Sequence, residues 1–352
     1  MLVLALIVVV WVLPDGGGAN RPRRTTEPGT SRTSAIPRHS EPATRVILGV
    51  ESSLVPWHLS APLSRMVVEP STGLDLTVLG GYDGAASADG VFDLDTATGS
   101  LNLTGNLAVP THDAAGALLG NLDLVIGGGD TTSDALVQEL KPGPSAATAA
   151  EIGKLPSPRS DCDAVSIGQT VYVVGGYDGT NGDATVLATD DGRSYRSVAT
   201  LPVPVRYPAV AVLGGNIYVF GGDAAGGRRS GEAIPDIQRV DPQTGSAVVL
   251  GSMPEAFEGA SAVTVAGDIY VAGGDTSSAA TATTTSSTIW AFDPLTRTML
   301  RAGVLSVAVS NAGIAVIGTT TWVIGGESEG VPVSTVQRFR TDPRSELARI
   351  PG

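Results

Sequence analysis

The chain has 352 residues, of which only 16% are charged and 45 are glycine, a composition typical of a turn-rich β protein. Its formal net charge of −13 argues against nucleic-acid binding, because an acidic surface repels phosphate groups. A single cysteine, Cys162, excludes an intramolecular disulfide and a thiolate zinc cluster, and three histidines are few for an imidazole site. We therefore expect no metal or cofactor.

Residues 1–14 begin with thirteen consecutive apolar residues and end at Pro14. A helix of that length covers roughly 20 Å, short of a bilayer core of roughly 30 Å. We interpret the segment as a short apolar helix that serves as a membrane anchor or signal segment. Two alternatives stay open: a signal-anchor whose upstream residues were lost to a wrong start site, or a poor signal peptide. Either places the following domain outside the cytoplasm, membrane-anchored or secreted.

Residues 15–44 consist mainly of Gly, Pro, Ser, Thr and Arg. Such a segment has too little apolar surface to offset the entropy of ordering, so it is predicted to be a flexible, disordered linker.

From residue 45 to residue 352 one pattern recurs: an apolar strand that runs into a glycine pair. The six pairs begin at residues 80, 127, 175, 221, 273 and 325. A repeat of about 50 residues with a strand ending in Gly-Gly is typical of propeller blades rather than of helical solenoids.

Each repeat contains the signals of four strands. A hairpin with a Gly, Asn or Asp turn precedes the glycine pair, as at Gly168. A third strand ends in an Asp-rich turn, as at Asp293-Pro294, and a fourth ends in a Pro-containing exit, as at Pro156. No segment of helical period and useful length is present in residues 45–352, so this domain is predicted to be all-β.

These motifs resemble the Kelch repeat. The resemblance rests on the Gly-Gly strand, the aromatic-Asp-Pro-x-Thr turn at residues 292–296 and the Leu-Pro-x-Pro-Arg exit at residues 155–159. It implies a six-bladed β-propeller, which we interpret as a membrane-anchored or secreted bacterial type. The tryptophan usual in the fourth strand of a Kelch repeat is mostly missing, with Trp57 as the exception.

The strand signal around Trp57 precedes the first glycine pair. We expect residues 57–62 to pair with residues 336–340, so that both ends of the chain build one blade and no edge stays open. Residues 345–350 compete for the place of the closing strand, and both alternatives stay open.

The exits between blades are predicted to share one face with the loops that follow the glycine pairs. Six residues are assigned to comparable exit positions as candidate ligand-binding residues: Arg65, His112, Arg159, Arg206, Glu258 and Asn311. The Kelch resemblance implies peptide or other ligands on this face, where arginines can bind carboxylates bidentately. The alternative is that each arginine forms a salt bridge with a neighbouring blade, for example with Asp161 or Asp163.

An acid follows every glycine pair within two residues: Asp83, Asp130, Asp178, Asp223, Asp275 and Glu327. Six carboxylates on one face could attract Ca²⁺ or a basic partner. The local alternative is that each acid accepts backbone N–H groups and caps its turn.

The expected function is that of a monomeric, non-enzymatic module that binds a protein or a glycan through its loop face. No Gly-x-Ser-x-Gly or phosphate-binding motif is present. One alternative is an enzyme that processes sugar acids in the manner of a mutarotase, with Glu258 facing Arg159 or Arg206. Another is the sensor half of a larger membrane protein.

Overall fold

The structure is a computed structural model that describes residues 45–71, 73–141, 147–226, 230–276 and 284–350. The predicted anchor or signal segment at residues 1–14 and the predicted linker at residues 15–44 lie outside these ranges. Within them the regular elements are β-strands, and no helix there is long and apolar enough to cross a membrane.

Six four-stranded antiparallel sheets, the blades, follow one another along the chain. The strands of blades 1 to 3, in order from the axis outwards, are β2 (Val67–Pro70), β3 (Asp75–Leu79), β4 (Gly90–Asp95) and β5 (Leu101–Asn106); β6 (Ala115–Leu119), β7 (Leu122–Ile126), β8 (Leu136–Leu140) and β10 (Ala150–Lys154); β11 (Asp163–Ile167), β12 (Thr170–Val174), β13 (Thr185–Thr189) and β14 (Arg196–Thr200).

The strands of blades 4 to 6, in the same order, are β16 (Ala209–Leu213), β17 (Asn216–Phe220), β19 (Asp236–Asp241) and β20 (Ser246–Ser252); β21 (Ser261–Val265), β22 (Asp268–Ala272), β23 (Thr288–Asp293) and β24 (Thr298–Val304); β25 (Gly313–Ile317), β26 (Thr320–Ile324), β29 (Thr335–Ile350) and β1 (Arg45–His58). Five two-residue strands complete the set: β9 (Ala147–Thr148), parallel to β5, and the pairs β15 (Val205–Arg206) with β18 (Asp223–Ala224) and β27 (Glu327–Ser328) with β28 (Val331–Pro332). The first strands of successive blades contact one another all the way round the axis.

The predicted hairpins and glycine pairs are present. Gly214 and Gly215 both have positive φ in the two-residue turn between β16 and β17, as such turns require. Gly175 and Gly176 also have positive φ, and a Cβ on Gly175 would lie 2.7 Å from the carbonyl oxygen of Val205 in the next blade exit. Glycine is therefore required at this pair both for the backbone angle and for the close approach of the next blade.

The ring closes through blade 6. β1 pairs with β29 antiparallel, with Ser52 opposite Phe339 and Arg45 opposite Ile350. Residues 336–340 and 345–350 are parts of one strand, so the two alternatives for the closing strand merge. The N-terminal strand lies farther upstream than predicted: it ends at His58, and residues 59–62 are not part of it. Trp57 lies at the end of β1, and the earlier residues of this strand lack a Kelch motif.

The core lies between neighbouring blades. Blades 4 and 5, for example, pack Phe220 edge-to-face on Phe292, with ring centroids 5.3 Å apart. The second strands of the blades, such as β17 and β22, are buried on both faces in this way, which explains their continuous apolar sequence.

Buried glutamines bridge every second blade interface. In blades 2, 4 and 6, Gln138, Gln238 and Gln337 occupy the same place in the third strand and are at most 2% exposed. Each side-chain amide accepts from the N–H and donates to the C=O of one residue in the preceding blade exit, with distances of 2.8–3.0 Å: Val109, Val203 and Val307 respectively. These bonds satisfy exit backbone groups that would otherwise be buried without partners, at a cost of about 1–3 kcal/mol each.

Candidate functional site

A closed ring of backbone hydrogen bonds surrounds the axis on the face of the glycine pairs. Each blade exit contributes one residue with φ between 48° and 62°, and each of these residues donates its N–H to the carbonyl of its counterpart in the preceding exit. The N···O distances are 2.7–3.2 Å, and the last bond, from Arg65 to Asn311, closes the circle. We call these residues the axial ring: Arg65, Asp113, Asp161, Tyr207, Gly259 and Asn311.

Arg65 extends its side chain across the mouth of the axial channel. Its guanidinium donates to both carboxylate oxygens of Glu327, to Asp113 at 2.9 Å and to the hydroxyl of Tyr207 at 3.2 Å. Tyr207 stands three places away in the axial ring, on the opposite side of the axis. Burial alone would raise the pKa of Glu327, but the bonds from Arg65, Ser64 and Asn311 outweigh it and lower that pKa. Asp113 has a raised pKa because its burial outweighs the pull of Arg65.

Below the axial ring lies a channel of about 320 Å³, walled by the first strands of the six blades. Its wall carries the carboxyl groups of Glu69 and Asp163 among the apolar side chains of the first strands. Burial, together with the charges of Asp123 and Asp163, raises the pKa of Glu69 to about 8. Burial also raises the pKa of Asp163 to about 7, although that carboxylate accepts the N–H groups of Ala164 and Val210. The channel therefore holds protons at neutral pH.

Above the axial ring lies a polar cleft of about 380 Å³, which we call the blade 2 cleft. It is centred on Gly129, the residue that follows the second glycine pair. Blades 1 and 3 have Tyr82 and Tyr177 at that position, where each forms a backbone bridge to the segment that leads into its blade, as Gly129 does to His112. A Cβ on Gly129 would lie 2.0 Å from the carbonyl oxygen of Thr132, so the local turn excludes a side chain and leaves the space open.

Arg206 lines the blade 2 cleft in a fixed orientation. Its guanidinium carbon lies 4.3 Å from the ring centre of Tyr177 and 5.2 Å from that of Tyr207, and Nε donates to Asp161 at 2.6 Å. Nη1 bonds no acceptor in the described part of the chain. The side chain is thus a preorganised donor with one edge available.

His112 forms another part of the cleft wall. Its ring lies 5.2 Å from that of Tyr82, Nδ1 is 2.7 Å from Ser87 Oγ and Nε2 is 3.5 Å from Asp113 Oδ2. Burial, followed by the charge of Arg65, lowers the pKa of His112, so the imidazole is neutral at pH 7.

The candidate exit residues do not share one position, contrary to the prediction. Arg65 and Asn311 belong to the axial ring, whereas His112, Arg206 and Glu258 stand one residue before it. Arg159 stands two residues before it and is 1% exposed, with its guanidinium bonded to Asp183 and to the carbonyl oxygens of Gly175 and Thr185 in blade 3. Arg159 is therefore unavailable to a ligand, and it drops out of the sugar-acid alternative.

The acids after the glycine pairs also divide into two sets. Asp223, Asp275 and Glu327 follow their pairs directly and are buried, at 5–8% exposure. The second set, Asp83, Asp130 and Asp178, stands one residue further on; Asp83 and Asp130 are exposed and Asp178 is partly exposed. Asp83 and Asp178 each accept two backbone N–H groups through Oδ1, which lowers their pKa values, as the turn-capping alternative predicts. The six carboxylates thus form no single ring.

The sequence does contain a signal for the axial ring that the exit motifs did not show. Five of the six ring residues stand fourteen positions before the first glycine of the next pair, as Asp113 does before Gly127. Arg65 stands fifteen positions before Gly80. Counting back from the glycine pairs, rather than aligning arginines, would have identified Asp113, Asp161, Tyr207 and Gly259.

Comparison with known proteins agrees with this architecture. The family model of the Kelch motif matches residues 158–188 and 256–298. Kelch repeat and BTB domain-containing protein 12 of Danio rerio is 33% identical over 121 residues, which make up 31% of this chain and 19% of that protein. Beta-scruin of Limulus polyphemus is 26% identical over 205 residues, 54% of this chain and 22% of that protein. Kelch-like protein terF of Aspergillus terreus is 33% identical over 125 residues, 33% of this chain and 27% of that protein.

The chain thus spans between 19% and 27% of the length of these curated relatives. Among solved structures, that of YjhT matches with a TM-score of 0.69 at 15% identity, over 85% of this chain and all of that one, which shows the fold alone. Kelch propellers generally act as protein-interaction modules. The chain is therefore a six-bladed β-propeller whose residues 158–188 and 256–298 match the Kelch motif.

Proposed function

We propose that the propeller binds a protein partner through its loop face and that the bound segment of the partner is basic. The observation that carries this proposal is the excess of carboxylate on that face. Asp130 is exposed in the blade 2 cleft, which Asp113 and Asp161 also line. In the corresponding turns of blades 1 and 3, Asp83 is exposed and Asp178 is partly exposed.

Arg65 and Arg206, the arginines that the structure describes at the cleft, do not offset this charge. Arg65 is already bonded to Asp113 and Glu327, and Arg206 to Asp161. An acidic ligand would have to approach these guanidinium groups past carboxylates that neutralise them. A basic segment meets uncompensated carboxylates instead, and the net charge of −13 favours its approach from a distance.

Titration of the full chain with labelled basic, neutral and acidic peptides of equal length tests this function. We expect only the basic peptides to bind, and their affinity to fall about tenfold or more as the salt concentration rises from 50 to 300 mM, because exposed charges are screened. Neutral and acidic oligosaccharides serve as a further arm. Binding of acidic peptides or of oligosaccharides in place of basic peptides would contradict the proposal.

We also propose that the propeller is displayed outside the cytoplasm, held at a membrane by residues 1–14. The support is the run of thirteen apolar residues followed by a linker-like composition. Cell fractionation of the full chain beside a chain that starts at Arg45 tests it: the full chain is expected with membranes, and the shorter one in the soluble fraction. Equal distribution of the two would rule out anchoring by this segment.

A further inference from the structure

We propose that the blade 2 cleft is the place where one lysine or arginine side chain of the bound segment is anchored, paired with the carboxylate of Asp130. This inference rests on the proposed function and assigns it to one pocket and one acid.

Asp130 differs from the acids at the same place in the neighbouring blades. Asp83 and Asp178 use Oδ1 to cap their own turns, at 2.6–2.8 Å from two backbone nitrogens each. Asp130 accepts no backbone N–H within the described ranges; its recorded bond comes from the hydroxyl of Ser87, at 2.8 Å to Oδ1. This carboxylate is exposed and keeps accepting positions for a cation.

The space beside Asp130 is a second difference between blade 2 and its neighbours. Where blades 1 and 3 place a tyrosine after the glycine pair, blade 2 places Gly129, and the cleft of about 380 Å³ opens there. That volume is at the small end of ligand pockets, which suits a single long side chain rather than a folded surface. The missing tyrosine and the uncapped acid thus occur at the same blade.

The charges of the cleft select a cation. The positive charges that line it, on Arg65 and Arg206, are both paired with buried carboxylates, while His112 is neutral at pH 7. Asp130 remains as the charge without a basic partner among the described residues. The unbonded Nη1 of Arg206 can donate to a backbone carbonyl of the same segment, which fixes the segment without adding a charge contact.

A matched pair of variants tests the assignment on the full chain. Asp130→Asn and Asp178→Asn each remove one negative charge from the same face and keep the side-chain shape, but only Asp130 lines the cleft. The probe is a labelled basic peptide with one central arginine, compared with its lysine and glutamine versions. We expect Asp130→Asn to weaken binding of the arginine and lysine peptides about tenfold, and Asp178→Asn to weaken it less than about threefold. For the glutamine peptide, we expect both variants to lower the affinity only by the small amount that the general loss of charge causes.

The outcomes separate the two proposals. Equal losses in the two variants, or an Asp130 effect that persists with the glutamine peptide, would overturn the anchoring site and leave the basic-partner function standing. No binding of any basic peptide to the unmodified chain would overturn both. Melting temperatures of both variants are measured alongside, and a value unchanged from that of the unmodified chain shows that a loss of affinity is not a loss of fold.

Discussion

Replacing Arg65 with alanine is expected to lower the free energy of unfolding by about 3 kcal/mol, because it leaves two buried carboxylates without their cation. Glu327 and Asp113 have side chains only 6% and 10% exposed, and both are bonded to Arg65. The substitution also removes the contact with Tyr207 across the axis. Urea unfolding of the full chain at pH 7, followed by circular dichroism, measures the loss.

Arg344 provides the matched control. It also pairs with two acids, Glu51 and Asp342, but its side chain is 79% exposed at the outer edge of blade 6. Arg344→Ala is expected to cost much less than Arg65→Ala, because exposed ion pairs contribute little. Similar losses for the two variants would show that the Arg65 bonds contribute no more than surface pairs.

Glu69→Gln is expected to stabilise the propeller in alkaline solution and to have its smallest effect near pH 5. Burial, with Asp123 and Asp163 nearby, holds the pKa of Glu69 at about 8 in the folded chain, against 4.5 as its ordinary value. A raised carboxyl pKa means that the folded chain keeps a proton which the unfolded chain has lost. Stability from this group is therefore full below about pH 4.5 and is lost as the pH rises through about 8.

The expected gain of Glu69→Gln at pH 9 is on the order of 3 kcal/mol, once the shift is discounted for water in the channel. Thermal melting between pH 5 and pH 9 measures it, with exposed Glu151→Gln as the control expected to change nothing. The unmodified chain should itself lose stability over this range, since the pKa values of Asp163 and Asp123 are also raised, to about 7 and 6. A flat difference between Glu69→Gln and the unmodified chain across the range would show that Glu69 is ionised throughout.

The fold followed from the sequence because its signals are local and occur six times. A strand that ends in Gly-Gly, a two-residue turn such as Gly214-Gly215 and an exit containing Pro each depend on the backbone angles of a few residues. Copies in register then reinforce one another, so the blade count and the closure by both chain ends could be predicted. The exact extent of the closing strand could not, because residues 45–56 carry no motif of their own.

The site was harder to predict because it depends on which way side chains turn. Arg159 and Arg65 each stand three residues after a proline, yet one guanidinium is buried in blade 3 and the other crosses the axis. Nothing in the residues around Asp130 shows that its turn leaves it uncapped while those of Asp83 and Asp178 do not. A shift of one position in an exit loop changes which element a side chain contacts. A single sequence does not show which position each exit residue takes.

The axial ring joins neighbouring blades in the same way whether or not the ends of the chain meet between them. At the circumference, blade 6 differs from the others, because its outer strand comes from the opposite end of the sequence. At the axis, the bond from Arg65 to Asn311 that joins blade 1 to blade 6 is the same bond that joins every other pair of exits. The six blades are therefore equivalent at the axis. The junction between the two ends of the chain is distinguishable only in the outer strands of blade 6.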